Sequence, residues 1–540
     1  MTRSLLKRVS APLALVALAS TALAQKPTLD ARAVASVDFP VSCASGVQAD
    51  FGRGVALLHH MTYPAARGLF EKVAARDPGC AMAQWGIAMT LFQPLWPTRP
   101  GPADLERGRQ AVARAREIGL QTGRERLLVD AAAAFFDDQA SDYWQRIRRW
   151  DRAMESAHVA LPGDAEIAAF RALALLAVAP VDTGSRSHAA DAAALLRPIL
   201  ARNPTHPGAQ HYLVHANDAA GREHDSPDVV RGYAANAPRN PHALHMPTHI
   251  YTRLGDWPSV IRGNQQAAAA ALEQPAGEQG EFVWDEFPHA VEYLVYAWLQ
   301  VGMDDSAAAE VRRLRTTERL QPTFKTAFHL ASTQARTALE RRQWSAAASL
   351  PPREPGNLDW DRFMWAEAVT WFARGLGAAH LARMADADTA AARLRTLEQQ
   401  AAGAGEDLFA RNIRLLGLEL GAWIAHSRGD AAASVRLMEK AVALELATPK
   451  HAVTPAPTLP AAELLGDLFM EQRRPDEALR SYRRSLELYP RRFNSLLGAA
   501  RAARASGDVA LARRYYRELV EMTGAGARPA ALSEARVRSR

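Results

Sequence analysis

The chain has 540 residues, 48% hydrophobic and 23% charged, with a formal net charge of +7. That length exceeds what a single core fills, so several domains or a repeat array is expected, and the balance is that of a folded soluble protein rather than a disordered or collagen-like one. The basic excess is nearly all arginine, interleaved with Asp and Glu on stretches such as RRLRTTERL (312–320), which describes a solvated helical surface and argues against a nucleic-acid partner.

Residues 1–24 read as a signal peptide. Arg3, Lys7 and Arg8 form a basic start, residues 11–24 an apolar centre too short to span a bilayer, and Ala22-Leu23-Ala24 a small-x-small cleavage site. No later stretch reads as a membrane span, so a soluble periplasmic or secreted protein is expected. In that oxidising setting the only two cysteines, Cys43 and Cys80, are expected to pair, a bond worth on the order of 3 to 4 kcal/mol in the chain-entropy model.

Alanine, leucine and arginine dominate, and no long run alternates β-branched with polar residues, so the chain reads as all-α. Gly54, Ala66, Phe70 and Pro78 recur at the spacing of Gly466, Ala478, Tyr482 and Pro490, and Ala512 and Tyr516 follow Ala478 and Tyr482 by one 34-residue period. The expected fold is therefore an α-solenoid of tetratricopeptide-like helix-turn-helix repeats forming a right-handed superhelix. Turn-plus-helix segments at 254–267, 301–314, 341–350 and 427–441 continue the pattern, and irregular stretches at 92–104, 273–281, 350–357 and 447–461 interrupt it. The implied divisions are the signal peptide (1–24), an N-terminal extension with the first repeat (25–104), central repeats (105–350), further helical repeats (351–446) and a C-terminal repeat pair (447–540).

Histidine concentrates in the central repeats, in HYLVHAND (211–218), HALHMPTHIYTRLGDW (242–257) and PHAVEYLVYAW (288–298). His211 and His215 are four apart, as are His245 and His249, and His242 precedes His245 by three, so each pair shares a helix face. In a tetratricopeptide groove the inner positions lie about eighteen, fifteen and eleven residues before the helix-B crossing residue. Counting back from Val260 gives His242, His245 and His249; from Ala307, His289, Glu292 and Tyr296; from Ala347, His329, Ser332 and Arg336.

Pairs of imidazoles one turn apart can chelate a metal ion, so His211, His215, His242, His245, His249, His289 and Glu292 are the candidate metal ligands. Trp284, Tyr296, His329 and Arg336 are candidates for lining a ligand groove. Imidazole suits zinc, copper or iron alike. Pro247 lacks a backbone donor and clashes with the Ala243 carbonyl, so the helix should bend or restart there.

Three readings stand: a transition-metal-binding repeat protein, a metal-dependent hydrolase or oxidase using Glu292 or Asp218 as base, and a metal-free scaffold holding a peptide or protein in its groove. A structural alternative keeps the histidines as polar groups paired with Asp218, Glu292 or tyrosines. No GxSxG, P-loop, GxGxxG, HExxH or CxxC motif offers other chemistry.

DPGCAMAQWGIAM (77–89), HPGAQHYLVHA (206–216), HALHMPTHIYTRLGDW (242–257) and the segment 459–503 resemble a family of exported bacterial tetratricopeptide-repeat proteins marked by an HMP-[ST]-HI motif. The resemblance implies an α-solenoid and the histidines at 211, 215, 242, 245, 249 and 289, and brings no activity with it. Relatives often carry a further histidine where this chain has Glu292.

Overall fold

The structure is a computed structural model that describes residues 37–96, 99–137, 142–181, 185–277, 280–523 and 529–539; the signal-peptide reading lies outside these residues. From Gln48–His59 to Pro529–Arg538 the chain is a succession of helices, each packed mainly on its neighbours in sequence. A two-residue antiparallel ladder between Pro275–Ala276 and Phe282–Val283 is the sheet content among the described residues.

The repeat spacing has a direct packing cause. Phe70 lies between Gly54 and Gly86, where a Cβ would stand 2.8 and 2.4 Å from its ring. Tyr482 lies in the same way between Gly466 and Gly498, at 2.7 and 2.4 Å. An aromatic ring on one helix thus fills the gap between two others only where both lack a side chain, which fixes the close approach of the helix pairs. The two ends of the chain solve one packing problem with the same residues.

Cys43 and Cys80 are bonded, with Cα atoms 4.8 Å apart, and tie the extended start to the first repeat. The hydrophobic interior falls into two parts, one built from Val37 to Ala216 and the other from Leu244 to Ala535. A small cluster around Val214, Tyr233 and Met246 lies between them. The histidine-rich helices run along this seam.

The end of the chain returns to the middle. Gly255 has a positive φ of 66°, and a Cβ there would stand 2.8 Å from the Pro490 carbonyl oxygen. Trp257 Nε1 donates to the Arg491 carbonyl at 2.9 Å, and the buried Arg492 donates to Tyr296 Oη at 3.0 Å and Glu340 at 2.8 Å. The irregular stretch before these repeats lies across the inner face: Lys450 reaches Asp218 at 2.6 Å, and Arg336 donates to the carbonyls of Pro457 and Ala456 at 2.8 and 3.1 Å. Residues 448–460 are therefore a strap over the concave side, and not merely a junction between repeats.

A candidate metal centre

Four short helices supply the imidazoles. Pro207–Asn217 starts with His206 as N-cap, its Nδ1 accepting from the Ala209 amide at 3.1 Å, and carries His211 and His215 one turn apart. Pro241–His245 is capped by Asn240, which accepts from the Ala243 amide at 3.1 Å, and carries His242 and His245. Pro247–Leu254 restarts the helix at the proline, as expected of a residue without a donor, and carries His249. Glu286–Gln300 carries His289.

These six rings form two trios. His211, His215 and His242 make the first and His245, His249 and His289 the second, and within each trio the candidate ligand atoms lie within 4.8 Å of one another. His211 Nε2 is 3.1 Å from His215 Nε2 and 3.0 Å from His242 Nε2, and His245 Nε2 is 2.9 Å from His249 Nε2. Around an ion holding imidazole at about 2.0 to 2.1 Å, tetrahedrally placed nitrogens stand roughly 3.3 Å apart, so these separations are those of ligands closing on one point.

The opposite ring nitrogens fix where the hydrogens sit. His211 Nδ1 lies 2.6 Å from the His59 carbonyl oxygen, which can only accept. His242 Nδ1 lies 3.2 Å from Glu286, and His249 Nδ1 2.8 Å from Asp218. Burial would raise both carboxyls, but Lys325 and His242 outweigh it at Glu286, and Lys450, Arg253 and His249 at Asp218, so both are held below the usual carboxylate range and act as acceptors.

Asn264 donates through Nδ2 to the Val260 carbonyl, leaving Oδ1 to accept from His245 Nδ1 at 2.6 Å. His329 gives its Nδ1 hydrogen to Glu292, so its Nε2 accepts from His289 Nδ1 at 3.0 Å. In five of the six rings a hydrogen is thus committed to Nδ1, and in His211, His245, His249 and His289, which burial holds neutral, Nε2 carries a bare lone pair. His215 can turn an Nε2 hydrogen toward His211.

The bare lone pairs of His245 and His249, 2.9 Å apart, repel unless a cation sits between them. A proton is a poor candidate there, because burial first, and the neighbouring imidazole second, push His245 well below the ordinary histidine value, as they do His211, His215 and His289. Burial likewise lowers His249, to about 4, against the pull of Asp218. A Tyr293 hydroxyl 3.4 Å from His249 Nε2 is as far from the Thr454 carbonyl and relieves little. The orientation of five of the six rings by an outer acceptor is an arrangement that metal-binding histidines use.

Glu292, a candidate ligand by sequence, stands outside both trios. Its carboxylate accepts from Ser332 Oγ at 2.6 Å, from His329 and from Arg336, so it orients His329 and through it His289. The groove candidates line no open groove. Trp284 packs with the N-terminal core, Tyr296 meets Arg492, His329 backs His289, and Arg336 is held by the strap. Sequence reasoning did not single out His59, Asn264, Glu286, Lys325 or Lys450; their roles come from contacts between distant segments, and no local spacing signals them.

Comparison with known proteins bears on the fold. A family model of the tetratricopeptide repeat matches residues 464–529. No curated protein matches the chain. Among solved structures the chain is similar to the APC/C hetero-tetramer Cut9-Hcn1, at 12% identity over 91% of this chain and 90% of that one, with a TM-score of 0.30. It is also similar to the human IFIT1 dimer with m7Gppp-AAAA, at 11% identity over 82% of this chain and 90% of that one, with a TM-score of 0.35. Likenesses this loose say nothing about this chain's ligand. No helix among the described residues is long and apolar enough to cross a membrane. The chain is an all-α solenoid whose residues 464–529 match the tetratricopeptide repeat, with two histidine trios at the seam between its cores.

Proposed function

We propose that this protein is an exported repeat protein that binds transition-metal ions through His211, His215 and His242 and through His245, His249 and His289. The observation that carries the reading is where the hydrogens sit: five Nδ1 atoms face acceptors outside the trios, which turns the Nε2 atoms of His211 and His242, and of His245 and His249, on one another. Ligand chemistry agrees, since neutral imidazole suits zinc, copper and iron. Glu286, Asp218, Asn264 and His329 hold the rings in place, and Glu292 acts one step further out.

The test is elemental analysis of untagged full-length protein purified from the compartment it occupies. Close to two transition-metal ions per chain are expected, falling to about one in His211→Ala or His245→Ala. Metal-free protein of native circular dichroism would remove the metal reading and leave an interaction scaffold.

A further inference from the structure

The two trios open on the same space. One cavity of about 30 Å³ has His215 and His242 on one side, His249 and His289 on the other, and Trp96, Glu286 and Lys325 among its walls. Across it the trios are close: the His215 and His249 rings are 6.2 Å apart and those of His242 and His245 6.4 Å. Two ions held there would face each other over a volume that admits a couple of waters or a diatomic molecule.

The donor set narrows the chemistry. Each trio offers three imidazoles and neither thiolate nor carboxylate. The nearest carboxylates, Asp218 and Glu286, are already committed to His249 and His242 and paired with Lys450 and Lys325. The bridging carboxylates on which di-iron helical-bundle centres are built are therefore lacking at the trios. Imidazole donates through a lone pair and brings no negative charge, and burying charge costs more as it grows, so an all-imidazole set favours ions of low charge. Among imidazole-loving first-row metals, copper is the one with an accessible monovalent state. The space between the trios suits a diatomic guest, and dioxygen is a diatomic that two Cu(I) ions can reduce by one electron each.

Resting on the metal reading above, we infer that the two trios form one coupled dicopper centre whose small ligand is dioxygen, bound between the ions. In the binding step each Cu(I) gives up one electron, and dioxygen takes both to become a peroxide dianion bridging two Cu(II) ions. No proton moves and no bond to carbon forms, and release is the reverse.

The experiment uses the full chain, loaded without air with two equivalents of Cu(I) and then exposed to dioxygen. Uptake of one dioxygen per two coppers is expected, with an intense near-ultraviolet charge-transfer band and no electron paramagnetic resonance signal, because the two Cu(II) spins cancel. His215→Gln and His289→Gln, one in each trio, should each keep about half the copper and lose dioxygen uptake; His215 makes the fewest outer contacts, so its variant is the one expected to fold as the parent does. Two bound coppers that oxidise to isolated, spin-visible Cu(II) would overturn the coupled centre while leaving metal binding in place. A chain that retains neither copper nor any other transition metal would overturn both.

Discussion

Two histidine clusters sit side by side in this protein and differ in one respect. In the N-terminal core, His206 accepts at Nδ1 from the Ala209 amide and donates from Nε2 to Glu166 at 2.9 Å. His59 donates from Nε2 to the other oxygen of Glu166 at 2.8 Å and accepts at Nδ1 from the Tyr212 hydroxyl at 3.0 Å. Every hydrogen has an acceptor and every lone pair a donor, so the group is complete as it stands. At the seam, one residue away through the His59 carbonyl, the same count fails. Both places are buried gatherings of three polar residues close enough to hold an ion. The position of the second ring nitrogen's partner separates a structural knot from a candidate metal centre.

The largest expected effect lies in the complete cluster. Glu166→Ala strands two buried imidazoles and should cost about 3 to 5 kcal/mol, read by denaturant unfolding, while metal content stays at the parental level. A fall in metal content would show that the two clusters are not independent. Chelation should act the opposite way: stripping ions held at about a hundred times their dissociation constant removes roughly 2.7 kcal/mol of stability from the parent. A His211→Ala, His245→Ala double variant should be indifferent to the chelator.

Smaller effects follow from the outer acceptors. Asp218→Asn and Glu286→Gln should each weaken metal affinity by about 10- to 100-fold in competition with a chromophoric chelator, whereas Glu166→Gln should leave it unchanged. Acid sharpens the contrast further. Histidines whose folded pKa lies below the ordinary value stay neutral when folded but take up protons when unfolded. They contribute stability above about pH 6.5 that is lost as pH falls toward the value of about 4 reached by His249. Metal release, followed by elemental analysis after dialysis, should occupy the same window. The smallest effect is expected at an exposed pair: Glu471→Gln, opposite the partly exposed His426, should change stability by less than about 1 kcal/mol and metal content not at all.

The repeat architecture was legible because its cause is local and periodic: Gly54 with Phe70 and Gly466 with Tyr482 advertise one packing solution at both ends of the chain. The two one-turn pairs, His211 with His215 and His245 with His249, were legible for the same reason, and each pair meets through Nε2 atoms. Their sorting into trios was not. His242 sits three residues before His245 yet joins His211, because the two turn toward different neighbours and Pro247 restarts the helix between His245 and His249. Groove counting reached His329 and Glu292 without revealing that they orient His289, since hydrogen-bond direction leaves no trace in spacing. Nor could it foresee that the chain's own strap and last repeats cover the face on which Tyr296 and Arg336 lie.

The link between Lys450 and Asp218 spans 232 residues and passes straight to the ring of His249. A growing polypeptide has made all six imidazoles long before it makes the lysine that steadies one of their anchors. On the proposed metal reading, capture of a second ion in its final geometry is deferred until the tail has folded back, so maturation of the centre is the closing act of assembly, and a chain cut short before residue 450 should acquire its cargo loosely.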